Sequence, residues 1–339
     1  MKIVRNLLLI ALFTLAVVTS FISCNSDDEK ADLIGNWLEK ADFGGDARYE
    51  AVAFSIGEIG YVGTGYNGDR RLNDFWAYDP AINNWVLIAS DTAMVPRTGA
   101  VAFTAGGKGY VGSGRDNQNE LKDFWQYDPD QNKWTRVADI PVERFGAVAF
   151  SINDIGYVGT GYNGSALLDF YSYNPGTNTW TAISNYPSKV RDAVAFTLDN
   201  KGYVCTGQKN GVFINDFYCY NPEKGSWEPK RKIDDVSSES YDDDYKSRII
   251  RQNSVAFTIG GKAYIACGDN GSPKSDVWEY DPFADLWEQK TLFEGGSRNN
   301  AVAFTTAGGR GFVTTGANGT NAFDDLWEFL PSEKFNEDD

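Results

Sequence analysis

The tetrapeptide Ala51-Val52-Ala53-Phe54, which opens a repeated unit, constrains this chain more than any other stretch. AVAF recurs at Ala100, Ala147, Ala193 and Ala301, and as SVAF at Ser254. Each copy is succeeded by a second signature: Asp-Phe-Trp at 74 and 123, Asp-Phe-Tyr at 169 and 216, Asp-Val-Trp at 276 and Asp-Leu-Trp at 325. A tryptophan then closes the unit at 85, 134, 180, 227 and 287. From the first residue of the tetrapeptide to that tryptophan takes 34, 34, 33, 34 and 33 positions. Six copies at one period mean a single repeat architecture, although a length of 339 residues alone would suggest two or three domains.

Each unit reads as four short strands. AVAF forms the first, and a Gly-containing turn such as Ile56-Gly57-Glu58 comes next. Tyr61–Gly65 forms the second, with glycines that permit close backbone packing. Asp74–Tyr78 alternates in the period-2 manner of a strand, and an Asp-Pro or Asn-Pro turn comes after it at 79, 128, 174, 221 and 281. The fourth strand starts at the tryptophan. Nothing in the repeat region keeps a helical period. Leu33–Phe43 carries Trp37 without a preceding tetrapeptide, whereas the last unit ends in PSEKFNEDD without a closing tryptophan. The simplest resolution is that the N-terminal strand completes the C-terminal unit, which removes an open sheet edge.

Gly-Thr-Gly after an aromatic-Val pair, the later Asp, Tyr-Asp-Pro and the spaced tryptophan together resemble the kelch repeat over about Trp37–Leu330. The chain departs from that pattern in the double glycine, which stands here as Gly-Thr-Gly, Gly-Ser-Gly or, in unit four, Val204-Cys205-Thr206-Gly207. The resemblance implies an all-β fold: a six-bladed β-propeller with four-stranded antiparallel blades, closed by the N-terminal strand joining the C-terminal blade. The propeller is expected over 33–331, with an insertion at 232–250 between blades four and five and an acidic tail at 332–339.

Ahead of the propeller, Met1–Ser23 has Lys2 and Arg5, an apolar run from Leu7 to Val18 and small residues before Cys24. It reads as a secretory signal, and Phe21-Ile22-Ser23-Cys24 resembles a bacterial lipobox. That resemblance implies lipidation at Cys24, an acidic tether over 24–32, and an outer-membrane lipoprotein on the surface or periplasmic side. The formal charge of −16 disfavours nucleic acid and anionic membrane surfaces, so contact with a membrane is expected only through the lipid anchor. Cys205, Cys219 and Cys267 are odd in number. Cys205 and Cys219 flank one hairpin, where a cross-strand disulfide is geometrically conceivable, but buried free thiols are the favoured reading.

Strand direction alternates within a blade, so the loops between strands two and three share a face with the blade-to-blade connections. That face carries the variable segments, YNGDRRLN (66–73), RDNQNELK (115–122), YNGSALL (162–168), QKNGVFIN (208–215), DNGSPKS (269–275) and ANGTNAFD (317–324), together with the insertion. Binding groups concentrate on loops held by a rigid scaffold, which makes this the candidate face. The recurrent Asn-Gly there is a turn signal. Arg48, Arg97, Arg144, Arg251 and Arg298 precede the tetrapeptide by three positions, with Arg191 displaced by one. A guanidinium ring at a propeller mouth would hold a carboxylate or an acidic sugar. The competing reading, favoured by equal numbers and equal periods, pairs each Arg with the Asp of its own third strand. The expected binding set on this face is Tyr66 and Tyr162 as sugar-stacking platforms, Arg70, Arg71, Arg115, Lys209 and Asp269 as polar contacts, and Arg97, Arg144, Arg251 and Arg298 from the ring. Asp234, Asp235, Glu239 and Asp242–Asp244 cluster in the insertion, but their spacing is not that of an EF-hand and a solvated loop is favoured.

The chain contains no histidine, which removes Ser-His-Asp and Cys-His catalysis and any His-ligated metal. Kelch propellers resemble the catalytic domain of galactose oxidase, whose copper site needs two His. That oxidation is therefore excluded, and no catalytic residue, metal or cofactor is expected. The preferred reading is a non-catalytic module that binds a glycan or an envelope or extracellular protein. The alternative is a metal-independent enzyme resembling the six-bladed sialic acid mutarotase, which would need a sugar-sized cavity lined by Arg and carboxylate.

Overall fold

A computed structural model describes residues 33–246 and 248–336; Met1–Asp32, with the signal and Cys24, lies outside the described residues. Strand β1 (Ile34–Lys40) precedes blade one, a sheet of β2 (Val52–Ile56), β3 (Ile59–Gly63), β4 (Phe75–Asp79) and β5 (Asn84–Leu87) in that order. All three pairings are antiparallel, with Val52 opposite Gly63 and Phe54 opposite Tyr61. The same four-stranded order repeats in every blade, making six sheets around an axis. The tetrapeptide strand is the innermost in each. Its two alanines face an axial channel, while Val52 and Phe54 are buried against neighbouring blades.

The phenylalanine of each tetrapeptide is the joint between blades. Phe54 stacks on Tyr61 of its own blade with ring centres 5.0 Å apart. Its far edge sits over Gly109 of blade two, where an added Cβ would lie 2.1 Å from the ring. The same seat recurs for Phe103 on Gly156, Phe150 on Gly202 and Phe304 on Gly60, so the glycine before the aromatic residue is a socket. Burying each ring contributes about 1.5–3 kcal/mol. On the rim, the closing tryptophan adds a hydrogen-bonded stitch to the preceding connection. Nε1 of Trp85, Trp134, Trp180 and Trp227 donates to the carbonyls of Ala41, Ala89, Ala138 and Ser184.

Blade six is completed as the sequence implies. Its order is β1, then Leu326–Lys334, Gly311–Thr314 and Val302–Thr305, so the N-terminal strand is its outermost member. Trp37 faces Phe329 in register and packs edge-on to Phe293 at 4.7 Å. The last strand runs through Lys334, past the expected end of the propeller, because Ile34 still pairs with Lys334 beyond a bulge. The three described cysteines are free and buried: Cys205 lies opposite Phe217, and Cys219 opposite Tyr203.

The insertion is docked, in contrast to the solvated loop that its composition suggests. Ile233, Tyr245 and Ile249 are buried with Trp278 and Trp287 of blade five. The Tyr245 hydroxyl accepts the Trp287 backbone N–H at 2.9 Å, so it covers part of that blade's outer edge. Asp242, on a short 3-10 turn (Ser240–Asp242), accepts from Val236 N, Ser237 N and the Ser237 hydroxyl. Asp235 and Asp243 are near it, but its carboxylate is taken up in holding the loop together.

Candidate functional site

The arginine ring forms buried struts. Arg48, Arg97, Arg144, Arg251 and Arg298 have no exposed surface, and each pairs with the third-strand Asp of its own blade at 2.7, 2.7, 2.7, 2.8 and 2.5 Å. Nη1 of each also donates to the carbonyl of Thr64, Ser113, Thr160, Cys267 or Thr315, the residue at the middle position of the Gly-Thr-Gly signature in its blade. Burial pushes the carboxyls of Asp74 and Asp123 up, but hydrogen bonds and charge from Arg48 and Arg97 outweigh it and hold them low. The four ring arginines expected as ligand contacts (Arg97, Arg144, Arg251 and Arg298) are therefore enclosed within the blades, because a buried guanidinium needs its carboxylate.

Blade four breaks the ring. Val190, fully buried, occupies the strut position, and Asp216 is held instead by Ser188 Oγ at 2.6 Å and by Lys232 Nζ at 3.2 Å from the start of the insertion. Arg191 is thereby released towards the axis.

The residues just before the tetrapeptides, Glu50, Gly99, Gly146, Asp192, Asn253 and Asn300, all adopt left-handed backbone, with φ of 53, 60, 59, 56, 53 and 54°. Each donates its N–H to the carbonyl of the previous member: Gly99 to Glu50, Gly146 to Gly99, Asp192 to Gly146, Asn253 to Asp192, Asn300 to Asn253, and Glu50 to Asn300. The six bonds, 2.8–3.2 Å long, close into a hoop around the axis. Glycine is the default at such φ, and an ordinary L-residue there costs about 1–2 kcal/mol, less for Asn and Asp. Four blades nevertheless carry polar side chains at this position, and strained backbone of that kind concentrates at functional sites.

Above the hoop is a cavity of about 340 Å3 lined by Glu50, Arg115, Phe145, Arg191, Asp192, Gln208, Gln252, Asn253 and Asn300. Arg115 sits over the Phe145 ring at 4.4 Å and reaches Glu50 at 3.5 Å. Arg191 sits over Tyr162 at 5.0 Å, with Nε 3.5 Å from Asp192 Oδ2. Gln208 donates to Gln252 at 2.5 Å. Burial raises the Asp192 carboxyl to about 6; Glu50 adds to the rise, while Arg191, Arg115 and Gln208 counter it only in part. One side of the mouth is thus ionic and the other is made of amides. Below it the channel continues between the alanines of the tetrapeptides to a ring of hydroxyls, where Ser55 and Thr104 donate to the carbonyls of Thr305 and Ser55.

Of the residues expected on this face, Arg115 lines the mouth. Tyr66 and Tyr162 are half-buried outside its lining, with a guanidinium over one face of each ring, Arg71 at 5.9 Å from Tyr66 and Arg191 at 5.0 Å from Tyr162. Asp269 caps its own loop at Gly271 N and accepts from Asn299 at 3.4 Å. Lys209 is exposed on a two-residue hairpin strand outside the cavity. Arg70 and Arg71 line two cavities further out. Sequence reasoning passed over Glu50, Asp192, Gln208, Gln252, Asn253 and Asn300 and noted Arg191 only as an irregularity. The available signal was the position directly before each tetrapeptide, which reads Glu, Gly, Gly, Asp, Asn, Asn: residue types tolerant of left-handed backbone, with one exception.

Comparison with known proteins agrees with the fold. The family model of the KLHDC2/KLHL20/DRC7 Kelch-repeats domain matches residues 38–154, and the Kelch motif matches residues 190–232. No curated protein sequence matches the chain. Among solved structures, YjhT superposes with a TM-score of 0.70 at 15% identity, covering 85% of this chain and 95% of that one, a likeness of fold.

Proposed function

We propose that this chain, a kelch-repeat six-bladed β-propeller, is an envelope-anchored binding module that takes a small acidic sugar into its axial mouth. One observation carries the reading: two guanidiniums, Arg115 and Arg191, line one polar, open-mouthed cavity of about 340 Å3. That volume is within the range of small-ligand pockets, about 300–1,000 Å3. A carboxylate satisfies the guanidiniums, and the amides of Gln208, Gln252, Asn253 and Asn300 suit the hydroxyls of a polyol. The blade-four irregularity supports the same reading, since it directs into the mouth a guanidinium that every other blade encloses. Titration calorimetry with N-acetylneuraminate, glucuronate and glucose tests it. The acids should bind and glucose should not, and Arg191→Gln should remove binding by about tenfold or more. Equal heats for all three sugars would overturn the reading.

A second reading rests on Asp192. A carboxyl raised to about 6 can both give and take a proton near neutrality, which ring opening of a free sugar needs. NMR exchange between the α and β forms of N-acetylneuraminate decides it: acceleration that Asp192→Asn abolishes identifies a mutarotase, and an unchanged rate identifies a binder.

A further inference from the structure

We propose that the mouth is the terminal subsite of a longer groove, and that the natural ligand is a glycan chain with one acidic end residue and neutral residues behind it. The inference rests on the acidic-sugar reading and extends it outward over blade one. Two further cavities, of about 580 and 430 Å3, share Arg70, Arg71 and Pro96 and together form a trough across the loop face. The first is walled by Gly44, Gly45, Asp46, Asn73, Asp74 and Trp76. The second is walled by Asp69, Val95, Asp116, Asn117 and Gln118. The trough and the mouth draw on the same loop of blade two: Arg115 lines the mouth, and its sequence neighbour Asp116 lines the trough.

The chemistry of the trough is that of polyol recognition. Its walls carry both donors (Arg70, Arg71, Asn73, Asn117) and acceptors (Asp46, Asp69, Asp74, Asp116). Arg71 is fixed by hydrogen bonding to Asn117 and by lying over Tyr66, whereas Arg70 is exposed and has no ion-pair partner among the described residues. Trp76 is held by its Nε1 bond to Asp74 at 2.9 Å and forms a wall of the first cavity; a side chain at Gly44 would strike its ring. Asp74 is the most accessible of the strut carboxylates, 31% exposed where the other four are 15–26%. With Asp74 neutralised by Arg48, the carboxylates of Asp46, Asp69 and Asp116 outnumber the guanidiniums of Arg70 and Arg71, so the trough disfavours a second anion and the extension residues are neutral. The mouth alone accommodates a free sugar; the trough has a use only when the sugar is linked to more.

The test compares free N-acetylneuraminate, sialyllactose, a polysialic acid oligomer and lactose by calorimetry, on the described propeller and on Arg70→Ala and Asp46→Asn variants. Sialyllactose should bind about tenfold tighter than the free acid, the oligomer no tighter than the free acid, and lactose not measurably. Each variant should bring sialyllactose towards the affinity of the free acid and leave the free acid unchanged. Equal affinity for free acid and sialyllactose, or variants without effect, overturns the trough and leaves the mouth standing. If no acidic sugar binds at all, the reading of the mouth falls and the trough with it.

Discussion

Replacing Asp192 by Asn removes one charge from the mouth while keeping a residue that tolerates left-handed backbone, so its consequence can be worked through. The folded-state carboxyl sits at about 6 against an ordinary 3.8, so ionising it in the native fold is unfavourable. The sign comes from linkage: a raised acid contributes stability below its unfolded value, and that contribution is lost as pH rises through about 6. A rise of roughly two units corresponds to about 3 kcal/mol. Asp192→Asn should therefore match the parent near pH 4 and exceed it by up to about 3 kcal/mol above pH 7. For a chain of this size that is roughly 6 °C in Tm, readable by calorimetry at pH 4.5, 6 and 8. Binding should move in the same sense. Above pH 6, Arg115 and Arg191 are balanced by Glu50 and Asp192; with Asp192 neutral the mouth carries one net positive charge. Acidic sugars should thus bind the parent more tightly as pH falls through 6, and the variant should show the tight form throughout. A variant less stable than the parent at pH 8, or a stability difference independent of pH, would refute the electrostatic account of the mouth.

The struts and the mouth arginines should separate cleanly. Arg144→Gln leaves the half-buried Asp169 without its partner and should cost about 1–3 kcal/mol, whereas Arg191→Gln should lower ligand affinity and change stability by less than about 1 kcal/mol; chemical denaturation compares them. Gly109→Ala puts a Cβ 2.1 Å from the Phe54 ring and should destabilise the joint between blades one and two by about 1–3 kcal/mol, read as earlier unfolding in urea. Cys205, Cys219 and Cys267 are buried and their thiols are raised by desolvation, so Ellman's reagent should not label them in the native propeller and should label all three in denaturant.

The scaffold was legible because its constraints repeat. A phenylalanine that must enter a socket, a glycine that must form it and a tryptophan that must stitch the rim recur at one period, and their spacing reports the fold. The unmatched Trp37 likewise reports the closure, since an outer strand without a blade and a blade without an outer strand are complementary defects. The Arg–Asp struts were visible as equal counts. The mouth was missed for a physical reason: the position before each tetrapeptide shows only residue types tolerant of left-handed backbone, Glu50 excepted, and that these residues meet follows from a backbone hoop that forms only when all six blades close. The displacement of Arg191 was legible as an irregularity. Its meaning required seeing Val190 in the vacated strut position and Lys232 on Asp216. The insertion was misread from its acidic composition, because Ile233, Tyr245 and Ile249 do the anchoring and are outnumbered.

The hoop also separates two duties that most binding sites combine. Its six bonds join backbone to backbone, so no side chain at Glu50, Gly99, Gly146, Asp192, Asn253 or Asn300 is needed to hold the ring closed. The frame itself therefore does not depend on which side chains stand on it, provided each position accepts a left-handed backbone. The floor of the mouth is a set of positions on a fixed frame; of its two glycines, Gly99 has room for a side chain, whereas a Cβ at Gly146 would lie 2.2 Å from Asp192 Oδ1. Propellers with the same struts and sockets but different hoop residues should share this architecture and differ in ligand, and Asn or Asp installed at Gly99 is the most direct way to write a new specificity into this one.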